Sequence, residues 1–209
     1  MPDIVEKHTF RSKTIQSLIN EAVTFTLNTP IYQLPIPEFT GTGVYLLYYL
    51  GELPQYSAMY KRNHDNEDPY PIYVGKAVPS GWRSARQTQT SQTTKKLYLR
   101  INEHRRSIEQ AANLNVMDFM CRFAILEGQE SDLISTLEAA LIRHYKPLWN
   151  TAIDGFGNHD PGKGRYGQAP SEWDTLHPGR AWASRLTGTP PNLNSIKQKI
   201  TQYFESIGW

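Results

Sequence analysis

Residues 43–51 read GVYLLYYLG and residues 70–77 read YPIYVGKA. Each is a short apolar run with a tyrosine close to a glycine, the pattern of a buried strand. The polar, proline-bearing segment 52–71 between them makes these two strands joined by a long connection. Tyr45 and Tyr73 then either fill a core or face each other across a site, and these two strands alone leave both open.

The rest of the chain supplies helices and one more strand. Residues 13–27 place Ile15, Leu18, Ile19, Ala22, Val23 and Thr26 on one helical stripe. The stretch 28–43, with three prolines and two glycines, reads as an irregular linker. After Lys76 a polar loop leads to a second stripe of Leu97, Ile101, His104, Ile108 and Ala111. Residues 118–126 alternate Phe119, Cys121, Phe123 and Ile125 on one face, which predicts a third strand. Ser131 is placed to cap a helix running to about Tyr145, ended by Pro147. Residues 154–170 hold five glycines and two prolines and read as loop; two short helices are expected beyond, one after Pro178 and one from Asn194. There is no internal repeat. The fold class is α+β, a small three-stranded antiparallel sheet flanked by helices. One domain is expected over 1–209: an N-terminal helix and linker (1–40), a core (41–153) with an insertion (52–71), and a C-terminal loop with helices (154–209).

Composition narrows the function classes. With 22 Lys and Arg against 20 Asp and Glu, the net charge of +2 does not by itself announce a polyanion partner, so the distribution of the charges must decide. No run approaches the ~18 apolar residues that span a bilayer, which predicts no membrane. Charges in MPDIVEKHTF argue against a secretory signal, and the single cysteine, Cys121, rules out an intramolecular disulfide and suits a reducing intracellular compartment. No spacing among the histidines and Cys121 suits a four-ligand zinc site.

Two helices carry candidate chemistry. Glu138 sits within the apolar stripe of Ile134, Leu137, Leu141 and Ile142. A lone carboxylate there needs a cation, a metal or a proton, and an arginine salt bridge would serve as well as a metal. Arg100 and His104, at i,i+4, project from one helix face. A guanidinium that stabilises a pentavalent phosphorus and an imidazole that relays a proton suit phosphodiester chemistry; a solvated basic face is the alternative.

Taken in order, these elements resemble the GIY-YIG nuclease superfamily. Gly43-Val44-Tyr45 and Tyr73-Val74-Gly75 match its two half-motifs with Val in place of Ile. Arg100 follows Tyr73 by 27 residues, His104 matches the following Tyr or His position, and Glu138, Ile142, Pro147 and Asn150 match its Glu, apolar, Pro and Asn at offsets of four, nine and twelve. The likeness covers 43–150. Tyr45 and Tyr73 are 28 residues apart, where the family has about a dozen between them, so 52–71 is an insertion. That insertion and the flanks look like the Type II restriction endonuclease branch, closest to the enzymes that cut CCGCGG. The resemblance implies a Mg²⁺ or Mn²⁺ ion on Glu138 and water activated by Tyr45. Arg100 would then stabilise the phosphorane, Tyr73 would hold the nucleophile or phosphate, and Asn150 would orient Tyr45 or a phosphate oxygen. Lys76, after what reads as a glycine turn, is added as a phosphate contact or assisting base. Tyr45 needs its pKa lowered for this task, by His104 or a positive field.

Specific cleavage also needs groups that read bases. Arg83, Arg86, Gln87, Lys95 and Lys96 lead into the Arg100 helix and suit guanine edges. Lys61, Arg62, Asn63 and His64 in the insertion, and Asn158, His159, Lys163 and Arg165 in the glycine-rich loop, are further candidates. A palindrome cut on both strands requires a homodimer or a tetramer. A restriction–modification setting in a bacterial cytoplasm completes what the likeness implies. The rival readings are a repair or mobility nuclease that nicks DNA, and an inactive DNA-binding protein on the same scaffold.

Overall fold

A computed structural model of the chain describes residues 2–66, 69–81 and 94–209. Its centre is strand β2 (Gly43–Tyr49), all seven residues of which are buried. β2 pairs antiparallel with β3 (Pro71–Ala77) on one side and β4 (Phe119–Ile125) on the other. A fourth strand, β1 (Ile31–Gln33), extends the sheet beyond β4, giving the order β1-β4-β2-β3. The linker expectation is corrected there. A strand of three residues is too short to show alternation, and it is partners that make it one: Tyr32 stacks on Phe123 at 5.7 Å, and just beyond the strand Leu34 N–H donates to the Phe119 carbonyl at 3.1 Å.

Both faces of the sheet are covered, which is why β2 reads as a continuous apolar run. Val44, Leu46 and Tyr48 share a cluster with Ile134, Leu137 and Leu141 of α5 (Ile134–Tyr145), and Ala22, Val23 and Leu27 of α2 (Lys13–Asn28) pack on it. Tyr45, Leu47 and Tyr49 point the other way. They join Leu97, Ile101 and Ile108 of α4 (Lys96–Gln110), Leu148 and Trp149 of α6 (Leu148–Thr151), Trp173 and Leu176 of α7 (Glu172–Leu176), and Ile196, Ile200 and Phe204 of α8 (Leu193–Ser206). A short helix α1 (Pro2–His8) precedes α2. No helix among the described residues is long and apolar enough to cross a membrane.

Two boundaries differ from the sequence reading. Ser131 lies in a 3-10 turn (Gly128–Leu133), where its hydroxyl donates to the Gly128 carbonyl, so α5 begins three residues later. α5 ends at Tyr145, as expected, with Lys146 as its cap in the left-handed conformation (φ 45°, ψ 54°) before Pro147. The helix expected after Pro178 lies before it, as α7, capped by the Ser171 hydroxyl accepting from Asp174 N–H; between Pro178 and α8 there is only a 3-10 turn, Ala183–Arg185.

The insertion is part of the core. It forms a 3-10 turn (Pro54–Tyr56) and helix α3 (Ser57–His64), with Tyr56 and Met59 fully buried. Asn63 is buried beneath it and bonds the carbonyls of Tyr49 and Tyr70 and the Tyr70 N–H, so it closes the far end of the β2–β3 hairpin instead of facing a ligand. Four residues of strand separate Tyr49 from Tyr45, about 13 Å. A buried polar chain ties the insertion to the C-terminal region: Trp149 Nε1–H donates to Tyr56 Oη, which lies 2.6 Å from His177 Nε2, while His177 Nδ1 lies 2.9 Å from Asn113 Oδ1.

Candidate active site

The β2–β3 register pairs Tyr45 with Gly75. Gly75 lies within β3 and is no turn; its function is space. A Cβ built on it would stand 2.3 Å from Tyr45 Oη, so only glycine lets the tyrosine ring cross the neighbouring strand. Tyr73, paired with Leu47 and on the same face, brings its ring centroid to 6.2 Å from that of Tyr45. α4 lies against this face because Leu97, Ile101, His104 and Ile108 form its buried stripe. His104 is 2% exposed, with ring centroids 5.7 Å from Tyr45, 5.0 Å from Tyr73 and 4.4 Å from Phe156, on which it stacks.

Tyr45 Oη and His104 Nε2 are buried without a hydrogen-bond partner among the described residues. Leaving such a group unsatisfied costs roughly 1–3 kcal/mol. The Tyr45 hydroxyl lies close enough to Tyr73 to influence its ionisation, but the two do not form a bond of good geometry.

Burial sets the protonation states. It pushes the Tyr45 phenol well above its ordinary value, with the neighbouring Tyr73 adding to this and Arg100 opposing it. Tyr73 is raised for the same first reason, again against Arg100. Burial, then Arg100, His159 and Arg180, hold the His104 imidazole well below 6.5. A phenolate at Tyr45 is therefore not what this environment produces: desolvation outweighs the positive field, and the pair at neutral pH is a phenol beside a neutral imidazole.

Arg100 is held from the far side by the glycine-rich loop. Its Nη1 lies 2.6 Å from His159 Nε2 and 2.9 Å from Glu103 Oε2, and its Nη2 donates to the Gly157 carbonyl at 3.2 Å. A Cβ on Gly157 would be 3.1 Å from Tyr73 Oη. His159, one of several surface candidates in the sequence, is exposed and reaches the site through its contact with Arg100. Arg180 and Phe156 went unnoticed in the sequence, because contacts made by loop carbonyls and ring stacking leave no spacing pattern.

Glu138 and Lys76 meet on the other face of β3. Lys76 Nζ is 2.6 Å from Glu138 Oε2, with side-chain exposures of 34% and 19%. The cation that the stripe demanded is this lysine, not an arginine. Glu138 still raises Tyr45 and Tyr73 through its charge, so it is electrostatically part of the same site. Among the described residues no cluster of three or more His, Cys, Asp or Glu is placed to hold a metal. One partly exposed carboxylate nevertheless fits Mg²⁺, which keeps several waters and takes its remaining ligands from substrate phosphate.

The hydrogen bonds of the Asn150 side chain go to β3 and not to Tyr45. The amide accepts from Val74 N–H at 2.7 Å and donates to the Val74 carbonyl at 2.8 Å, clamping edge strand β3 between the two half-motif tyrosines' register positions. Lys95 pairs with Glu38, and Lys96 donates to the Val78 carbonyl at the mouth of the loop before α4. Asn158 is engaged through its backbone by Gly155 and Arg180, and Arg165 lies exposed in a 3-10 turn. Lys61 and Arg62 sit on α3, toward the far end of the hairpin. Arg83, Arg86 and Gln87 lie outside the described residues.

A family model described as the Eco29kI GIY-YIG domain matches residues 37–204, so the match takes in strands β2 to β4, helices α3 to α7 and most of α8, and leaves out β1. No curated protein matches the chain.

Proposed function

The chain belongs to the Eco29kI GIY-YIG family of restriction-type nucleases, and from that premise we propose that it cuts both strands of a short palindromic, G·C-rich DNA site. CCGCGG is the target its motifs resemble. The observation that carries the reading is the cluster of Tyr45, Tyr73, His104 and Arg100, in which Tyr45 Oη and His104 Nε2 are buried without a hydrogen-bond partner among the described residues.

In this reading the attacking water gives its proton to Tyr45 Oη as the phenol passes its own to His104 Nε2. A neutral imidazole is the state required of the acceptor, and the anionic phosphate entering beside Arg100 offsets the positive charge that then forms on His104. Arg100 stabilises the added charge of the phosphorane, and Tyr73 donates to the nucleophile or a phosphate oxygen. A divalent cation held by Glu138, Mg²⁺ or Mn²⁺, would supply Lewis acidity at the scissile phosphate and neutralise the leaving 3′ oxygen. Lys76, sharing that carboxylate, is placed to contact the phosphate or assist as base. Asn150 serves by fixing β3.

Base reading is assigned to Arg83, Arg86, Gln87 and Lys95 in the segment before α4, to Lys96 at its start, and to Asn158, His159 and Arg165; Lys61 and Arg62 are assigned to flanking phosphate. Two copies cut the two strands. Ile4, Val5, Phe10, Ile15, Leu18 and Phe25 on α1, α2 and the segment between them are exposed, Phe10 by 80%, and support an interface there.

The test is digestion of a plasmid library of known sequence with Mg²⁺, followed by sequencing of the ends, with the oligomeric state read by light scattering. Discrete double-strand cuts at one palindrome by a dimer or tetramer are expected. Random nicks from a monomer would move the protein to the repair or mobility class, and no cleavage would leave a binding protein.

A further inference from the structure

Arg180 lies outside the motifs and is 1% exposed. Its guanidinium is sandwiched between Trp173 and Trp182, 4.6 Å from each ring centroid. Every one of its faces is used. Nε and Nη2 form a fork on Asp174 at 2.6 and 2.8 Å; Nη1 reaches the carbonyls of Phe156 and Asn158 at 3.1 and 3.3 Å, and Nη2 reaches that of Gly155 at 2.8 Å. A buried guanidinium costs several kcal/mol in desolvation, and a fold staple between Arg180 and Asp174 would need only the fork. The other three contacts go to the start of a loop with no ladder of its own, in which Gly155 has φ 98°.

That loop segment is the one touching the site. Phe156 stacks on His104 at 4.4 Å and packs against Tyr73 at 4.8 Å; the Gly157 carbonyl and the His159 imidazole hold both Nη atoms of Arg100. Arg180 thereby replaces missing secondary structure with fixed hydrogen bonds, at the residues that aim the Arg100 guanidinium and shield His104.

We propose that Arg180 is a positioning residue, acting through loop 155–159 to hold Arg100 in the geometry that phosphoryl transfer requires. The inference rests on the reading of Arg100 as catalytic. Because misplacement by about 1 Å costs on the order of 100-fold in rate, loss of the strap is read in the chemical step more than in binding.

Arg180→Lys keeps a charge for Asp174 but loses the planar fork. The expected result is a single-turnover cleavage rate ~100-fold lower with DNA affinity, measured without divalent cation, changed less than ~3-fold. In an Arg100→Ala background the same change should cost no more than ~2-fold further, since a residue acting through Arg100 has nothing left to position. A folded Arg180→Lys that cuts within ~3-fold of wild type, or a loss that multiplies through in the Arg100→Ala background, overturns the proposal. Should Arg180→Lys not fold, Asp174→Asn, which keeps one acceptor for the fork, is expected to give the same non-additive pattern at ~10-fold amplitude, and additivity there refutes it equally. Side-chain NMR separates this from the wider reading. If wild type does not cut DNA, the functional reading fails, while distinct Arg100 guanidinium resonances in wild type that average in Arg180→Lys would still support the strap.

Discussion

The two faces of the β2–β3 hairpin are built to opposite specifications. On one, Tyr45, Tyr73 and His104 sit in a dry pocket of aromatic rings, with polar atoms left unpaired and pKa values pushed away from the charged forms. On the other, Lys76 and Glu138 form an ion pair at 2.6 Å that solvent reaches. In the mechanism proposed above, the contrast separates two tasks of phosphodiester hydrolysis. Proton relay needs groups that stay neutral and fixed until substrate arrives, which burial enforces. Cation and phosphate binding need a carboxylate and an ammonium that can exchange partners, and exposure keeps that exchange inexpensive.

The largest expected effect belongs to the wet face. Glu138→Gln should reduce Mg²⁺-dependent cleavage by at least ~1,000-fold while leaving specific DNA binding largely intact; a variant that cuts at the wild-type rate removes the metal assignment. On the dry face, Tyr45→Phe should lose ~100- to 1,000-fold in single-turnover rate with little change in affinity. Appreciable residual activity there would shift the base role to His104 or Lys76.

Gly75→Ala tests the space between the strands. Its Cβ would meet Tyr45 Oη at 2.3 Å, so overpacking should lower stability by about 1–3 kcal/mol in urea denaturation and displace Tyr45 from the relay. A variant as stable and active as wild type would show that the ring has another place to go.

The smallest effect concerns acid. His177 is buried and its pKa is lowered to about 3 by desolvation, and His104 is lowered in the same direction. The unfolded chain takes up these protons near pH 6.5 and the folded chain does not, so stability is full above 6.5 and falls as pH drops toward the folded value. At pH 5 the His177 contribution is a loss of about 2 kcal/mol relative to pH 7. Melting temperature against pH should therefore slope downward below 6.5, and His177→Gln should flatten part of it; an unchanged slope would exclude His177 as a source.

Much of this was legible in the chain because it is local. The apolar runs around Tyr45 and Tyr73, the i,i+4 placement of Arg100 and His104, and a carboxylate inside the α5 stripe are consequences of strand and helix periodicity. They identify the sheet, the helices and the residue types of a phosphodiester site. The register that sets Tyr45 over Gly75, the clamp of Asn150 on Val74 and the choice of Lys76 as the partner of Glu138 join positions far apart in sequence, and no periodicity encodes them. Edge strand β1, too short to declare itself, exists only because Phe119 and Phe123 are there to receive it. Arg180 is the extreme case. As a sequence it is one arginine after a proline and a glycine, and only folding brings Asp174, two tryptophans and three loop carbonyls around it, because backbone acceptors and burial belong to the assembled chain.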